Sequence, residues 1–159
     1  MCQKDEDRYF LQQAIDLAVK NVESQGGPFA AIVVKDGKIV ATGANRVTAN
    51  NDPTAHAEVT AIRNACSQLN AFQLEGCTIY ASCEPCPMCL GAIYWARPAR
   101  LVFAADRFQA ADAGFDDEFI YQEINLKMEL RHLKTIHITD LDSSKPLEMW
   151  KKSSGKIDY

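Results

Sequence analysis

The chain has 159 residues, 47% of them hydrophobic and 24% charged, with a formal net charge of −4. That size and balance suit one globular domain, expected over residues 1–159, able to bury a core without disulfide staples. They exclude the overall basic footprint of a nucleic-acid binder, and the lack of a run of about 18 apolar residues excludes a helical membrane span.

Residues Glu6 to Val22 place Phe10, Leu11, Ala14, Ile15, Ala18, Val19 and Val22 at helical spacing. Gly26-Gly27-Pro28 ends that helix. Phe29 to Gly43 then reads as a hairpin around an Asp36-Gly37 turn. Its continuous run Ile32-Val33-Val34 points to a strand covered on both faces. Asp52 and Pro53 predict the cap and first position of a helix reaching Leu69. A strand follows from Cys77 to Ser82, then a helix starting near Pro85 and stopped by Pro98. "RLVFAA" is a further strand. The pattern weakens across a loop around Gly114 to Asp117, before a last strand, "LKTIHIT", and a short helix, "KPLEMWKK". This order predicts an α/β fold: three layers, α/β/α, with a mixed central sheet of about five strands and helices on both faces.

Six cysteines stand at Cys2, Cys66, Cys77, Cys83, Cys86 and Cys89. The polar start, "MCQKDEDRYF", does not read as a secretory leader, so a cytoplasmic location is expected. Disulfides are rare there, and clustered thiols more often bind metal or do chemistry. Cys86 and Cys89 lie three apart at a helix start, and His56 falls in the first turn of the preceding helix. Three such ligands leave a tetrahedral zinc with one position open to water, as in catalytic sites. A structural zinc would take a fourth protein ligand. Cys83 is the candidate, but it precedes the helix-opening proline and should point elsewhere. Cys66 and Cys77 read as buried small apolar residues. Glu58 decides between the two kinds of site, because a carboxylate beside an open position can take a proton from water and hand it to a leaving group. Residues i and i+2 do not share a helix face. His56 and Glu58 can therefore both serve only if His56 sits in the first turn or Glu58 reaches back.

The pair "HAE" and "PCPMC" resembles the H-x-E…P-C-x-x-C signature of the zinc nucleobase deaminases. Almost the whole chain further resembles the bacterial guanine deaminases of that superfamily. The segments that carry this are "GGPFAAIVVKDG", "NDPTAHAEVTAIR", "CEPCPMCLGAIYWARP", "AGFDDEFIY" and the final Tyr159. The resemblance implies a cytidine deaminase-like fold and one Zn2+ on His56, Cys86 and Cys89 with water in the fourth place. It implies Glu58 as proton shuttle, Asp117 and Asn45 as ligands of the purine base, and Phe29 and Trp95 as aromatic walls of the pocket. It also implies a homodimer that exchanges the tail, about 145–159, so that Tyr159 touches the partner's substrate. The implied reaction is hydrolytic deamination of guanine to xanthine and ammonia, in purine catabolism or salvage.

The residues alone leave these roles open. Asp116-Asp117 also reads as a solvated turn or a helix cap, Phe29 and Trp95 as core, Asn45 as a turn residue and "SSGKIDY" as a frayed end. Guanine does present two donors on one edge, N1–H and the exocyclic amine, and an ionised aspartate is acceptor only. The alternatives are a deaminase of guanosine, cytosine or tRNA adenosine, or a non-enzymatic zinc module that binds a partner. The acidic balance disfavours the tRNA substrate.

Overall fold

The computed structural model describes residues 2–159. The chain divides into two compact units, one running to Asp117 and one spanning Glu118–Tyr159. The first holds α1 (Gln3–Glu23), β1 (Ala30–Lys35), β2 (Lys38–Ala44), α2 (Val47–Asn50), α3 (Ala57–Leu69), β3 (Thr78–Cys83), α4 (Pro87–Ala96), β4 (Arg100–Ala105) and α5 (Arg107–Asp112). The second holds α6 (Glu118–Asn125), a 3₁₀ turn (Met128–Leu130) and α7 (Lys145–Lys152).

In the first unit the strands run in the order β2-β1-β3-β4. β1 pairs antiparallel with both neighbours, and β3 pairs parallel with β4, so the sheet is mixed as expected. Asp36 (φ 51°) and Gly37 (φ 70°) both take left-handed backbone. That is the type I′ turn whose twist suits a tight hairpin. Side chains alternate across β1. Ala31 and Val33 pack with Ala57, Ala61, Ala65 and Ile93 of α3 and α4. Ile32 and Val34 pack with Phe10 and Ala14 of α1 and with Tyr80. Helices therefore cover both faces, which is why β1 reads as one unbroken apolar run. A Cβ at Gly43 would collide with the Ala57 carbonyl and the Ala61 nitrogen. The glycine thus lets the first turn of α3 lie directly on β2.

α1 is pinned to the sheet by a polar clamp. Asp7 accepts from Arg100 Nη1 (3.1 Å) and Nη2 (2.6 Å) and from the Tyr80 hydroxyl (2.8 Å). The Arg100 bonds hold the Asp7 carboxyl below its ordinary value. Burial first, and Asp7 next, push the Tyr80 hydroxyl up to about 12.

Three expectations about elements need correction. The sheet has four strands among the described residues, not about five, because Leu133 to Thr139 pairs with no strand. That segment keeps its alternating pattern but is exposed throughout, and a strand exists only where another backbone answers it. Asp52 does not cap α3. It accepts from the Thr54 amide (2.8 Å) and hydroxyl (2.7 Å) in a local turn, and the helix starts five residues later at Ala57. α4 starts at Pro87 rather than near Pro85. α5 was not foreseen. It is built by a capping box in which Asp106 Oδ1 accepts from the Gln109 amide (2.8 Å) and Gln109 Oε1 from the Asp106 amide (3.0 Å).

In the second unit, Glu123 takes the His132 backbone amide (3.0 Å) and lies 2.8 Å from His132 Nδ1. No residue of this unit is buried in the single chain. Among the described residues, no helix is long and apolar enough to cross a membrane.

Candidate active site

Two helix starts build the centre. His56 is the N-cap of α3, with extended backbone (φ −69°, ψ 158°), and Cys86 is the N-cap of α4 in nearly the same conformation (φ −63°, ψ 167°). Each stands just outside its helix, which releases its side chain from the helical face pattern. The i, i+2 difficulty is thereby resolved: His56 precedes the helix, and Glu58 sits in its first turn. Cys89 lies one turn into α4. His56 Nδ1 is 3.6 Å from Cys86 Sγ and 3.5 Å from Cys89 Sγ. A tetrahedral zinc with ordinary Zn–N and Zn–S bonds has N···S edges of about 3.5 Å. The donor set thus matches the metal in kind and in spacing, and the three ligand atoms all lie within 4.8 Å of one another.

The thiols are prepared for that role. The hydrogen bond from Cys89 is the main cause that lowers the Cys86 thiol to about 4, with His56 adding to it. The same bond, with burial, raises the Cys89 thiol. A divalent cation bound there would displace any proton left on the thiols. The bond to Cys86 also raises His56.

Glu58 is 7% exposed. Burial raises its carboxyl above the usual range, against a bond with Cys89 and one with its own backbone amide that lower it. It lies beside the ligand set but is not one of the donors that converge there. Cys83 is buried at the end of β3, and its Sγ points to the Asp106 carbonyl (3.7 Å). Burial pushes its thiol up to about 11, and Cys83 is not among the donors that converge with His56. Cys66 and Cys77 pack in the core, as their pattern suggests.

The remaining predicted site residues come from both units. Asn45, 9% exposed, directly follows β2, with its Oδ1 accepting from the Val47 amide (3.3 Å). Its backbone N–H donates to the Phe29 carbonyl (3.0 Å). The Phe29 ring packs edge-on against Phe115, centroids 4.9 Å apart. Phe115 stands two residues before Asp117, so Phe29 braces the loop that carries the aspartate. Burial raises the Asp117 carboxyl, and the charge of Cys86 adds to the rise. Trp95 lies in the last turn of α4, 63% exposed. Tyr159 belongs to the second unit and is 69% exposed.

Sequence reasoning missed two supports. Glu84 Oε2 accepts from the Arg107 amide (3.1 Å), tying the metal loop to the start of α5. Asn21 is buried on the apolar stripe of α1, in line with Phe10, Ala14 and Ala18. A polar residue on an apolar stripe was the available signal for it.

A zinc centre at the starts of two helices beside a mixed sheet, with a buried acid next to it, defines a class. The chain belongs to the cytidine and deoxycytidylate deaminase family, whose zinc-binding region matches residues 4–105. Over 151 residues it is 53% identical to the guanine deaminase of Bacillus subtilis (strain 168), spanning 94% of this chain and 97% of that protein. The crystal structure of guanine deaminase from Bacillus subtilis superposes with a TM-score of 0.94 at 51% identity, covering 100% of this chain and 99% of that one. A guanine deaminase from Nitrosomonas europaea is more distant, with a TM-score of 0.65, 35% identity and coverage of 68% and 63%. The tRNA-specific adenosine deaminase of Aquifex aeolicus (strain VF5) is 43% identical over 97 residues, only 61% of this chain and 64% of that protein.

Proposed function

We propose that this chain hydrolyses guanine to xanthine and ammonia, using one zinc per subunit. The observation that carries the chemistry is the buried Glu58 beside a three-donor zinc set with tetrahedral spacing. A closed structural zinc has no use for that acid. Similarity to a guanine deaminase along nearly the full length of both chains carries the substrate. The matched family region stops at residue 105, before Phe115 and Asp117. The zinc centre therefore lies within the shared region, and Asp117 lies beyond it.

Zinc on His56, Cys86 and Cys89 would supply a water acidified towards neutrality. Glu58 takes the proton of that water as its oxygen adds to C2 of guanine. It passes the proton to the adjacent ring nitrogen, then takes the remaining proton of the added hydroxyl and delivers it to the departing amine. The water's oxygen and protons end in xanthine and ammonia, so the reaction needs no other reagent. Glu58's raised carboxyl suits a group that must both accept and return a proton. Asp117, as a carboxylate, accepts from N1–H and the exocyclic amine. Those two donors offset the burial that raises its empty carboxyl. Asn45 fixes the base from the opposite edge, with Phe29 and Trp95 as apolar walls.

The same reading makes the protein a homodimer with exchanged tails. β4 is an edge strand, and Leu133 to Thr139 is an alternating segment with no strand beside it. An open edge and an unanswered strand are complementary, and a second copy can supply one to the other. α7 adds Leu147, Met149 and Trp150, all exposed in the single chain. The tail from about 145 to 159 would then bring Tyr159 to the partner's substrate. A reducing cytoplasm suits the thiolate ligands.

The test is ammonia release from zinc-loaded protein given guanine, adenine, cytosine, guanosine or a tRNA anticodon stem-loop. Guanine alone should yield ammonia and xanthine at a substantial rate. Release from the stem-loop instead would favour the tRNA reading, and release from none would favour a binding module.

A further inference from the structure

We infer that Asn21 of α1 is a positioning residue for the base-binding corner, holding Asn45 and the loop to Phe29 in place; this rests on the reading of Asn45 as a contact to the base. Asn21 is 6% exposed. Its Nδ2 donates to the Gly27 carbonyl (2.8 Å) and to the Asn45 carbonyl (2.9 Å). Both hydrogens of one amide are therefore committed, one to the loop after α1 and one to the end of β2, 24 residues further along. The Asn21 backbone carbonyl also accepts from the Gly26 amide (2.7 Å). The residue acts as the rivet where three chain segments cross.

The two glycines of "GGP" belong to this arrangement. Neither has left-handed backbone. Their lack of a side chain answers a close approach instead. A Cβ on Gly26 would collide with the Asn21 amide group. A Cβ on Gly27 would sit 2.8 Å from both Cγ and Oδ1 of Asn45. One glycine thus admits the amide of Asn21, and the next admits the amide of Asn45. The Val47 amide holds Asn45 Oδ1 (3.3 Å). Asn45 is therefore fixed through its backbone by Asn21, across its face by Gly27 and at its oxygen by Val47. A side chain held at three points presents its remaining donors to a ligand in one orientation, with little freedom left to lose on binding. The Asn45 backbone amide continues the chain of contacts to the Phe29 carbonyl (3.0 Å), and the Phe29 ring leans on Phe115 beside the Asp117 loop.

Asn21 touches neither the metal ligands nor the substrate, so its loss should act on base binding more than on chemistry. In Asn21→Ala, zinc content should stay at one per chain, KM for guanine should rise about ten-fold or more, and kcat should change less than about three-fold. A purely structural role predicts the reverse split: lower kcat per total protein, in step with lost folded, zinc-loaded enzyme, and unchanged KM. Gly26→Ala serves as a second variant, since its methyl group displaces the Asn21 amide without removing it. It should raise KM like Asn21→Ala, and the double variant should be no worse than either single one. Additive losses, or an unchanged KM in soluble, zinc-loaded Asn21→Ala, would overturn the inference. If the wild-type protein itself releases no ammonia from guanine, the functional reading fails separately. Positioning is then read from the Asn45 side-chain amide signals in a ¹H–¹⁵N spectrum, which Asn21→Ala must shift; unchanged signals would overturn it.

Discussion

The first unit closes on itself, and the second does not. In the unit that ends at Asp117, β1 is covered on both faces and the side chains that make the metal centre are buried or half-buried. In the unit from Glu118 to Tyr159, no residue is buried, and Leu133, Ile136, Leu141, Leu147 and Ile157 are each more than 60% exposed. Apolar surface on that scale is seldom left to water and marks a face that another surface covers. The contrast separates two jobs. The closed unit carries the zinc-binding region common to a wide family of deaminases, and the open one carries the surface that the proposed dimer would cover.

Variants that probe this division span large effects and small ones. His56→Ala removes one of three metal donors. Zinc measured by elemental analysis should fall to trace levels, and guanine turnover with it by more than about 10³-fold. Zinc retained at one per chain would show that His56 is not a ligand. Asp117→Ala should keep zinc and lower kcat/KM for guanine by roughly 10²-fold, the scale on which a site tuned to hydrogen-bond a base discriminates. Unchanged guanine kinetics would remove Asp117 from recognition. Ending the chain at Gly155 deletes Tyr159 and should cost on the order of ten-fold in kcat/KM, with zinc content untouched. Full activity in that variant would leave the final residues outside the site.

The mildest change should fall in the closed unit, far from the chemistry. Asp7→Asn weakens the clamp to Arg100 and Tyr80, which is partly open to solvent. It should destabilise by about 1–2 kcal/mol while leaving kcat per bound zinc unchanged. Asp7 is held below its ordinary value of 3.8, so the folded state favours its charged form. Its contribution is full above that value and is lost as pH falls through the lower folded one. Urea midpoints of wild type and variant should therefore differ at about pH 7 and draw together only as pH falls below 3.8. A gap that persists in acid would assign the effect to packing instead.

Legibility divided along the same line. α1, the hairpin, β3 and β4 could be read from local pattern because each buries a face within its own unit. The metal set could be read from residue type and spacing, although its geometry arises from two N-caps rather than from one helix face. The fifth strand was read from an alternating pattern, but pairing is not a local property, and the single chain offers Leu133 to Thr139 no strand partner. The cap assigned to Asp52 failed because an Asx turn to Thr54 uses the same side chain. Asn21 went unread as a support because helical periodicity registers where apolar residues fall and passes over a polar one among them. Nothing in the spacing marks Asn45, Phe29 or Trp95 as pocket residues. Their roles rest on resemblance, and contacts in the structure link Asn45 to Phe29 and Phe29 to Phe115 beside Asp117.

The mechanism turns on an acid beside an open zinc position moving the protons. Glu58→Gln is the sharpest probe of it, because the amide keeps the size of the side chain and loses the ability to shuttle a proton. Zinc content and guanine turnover should be measured on the same preparation. We expect one zinc per chain, as in wild type, with turnover reduced on the order of 10²–10⁴-fold. Turnover within a few-fold of wild type at full zinc occupancy would refute Glu58 as the shuttle.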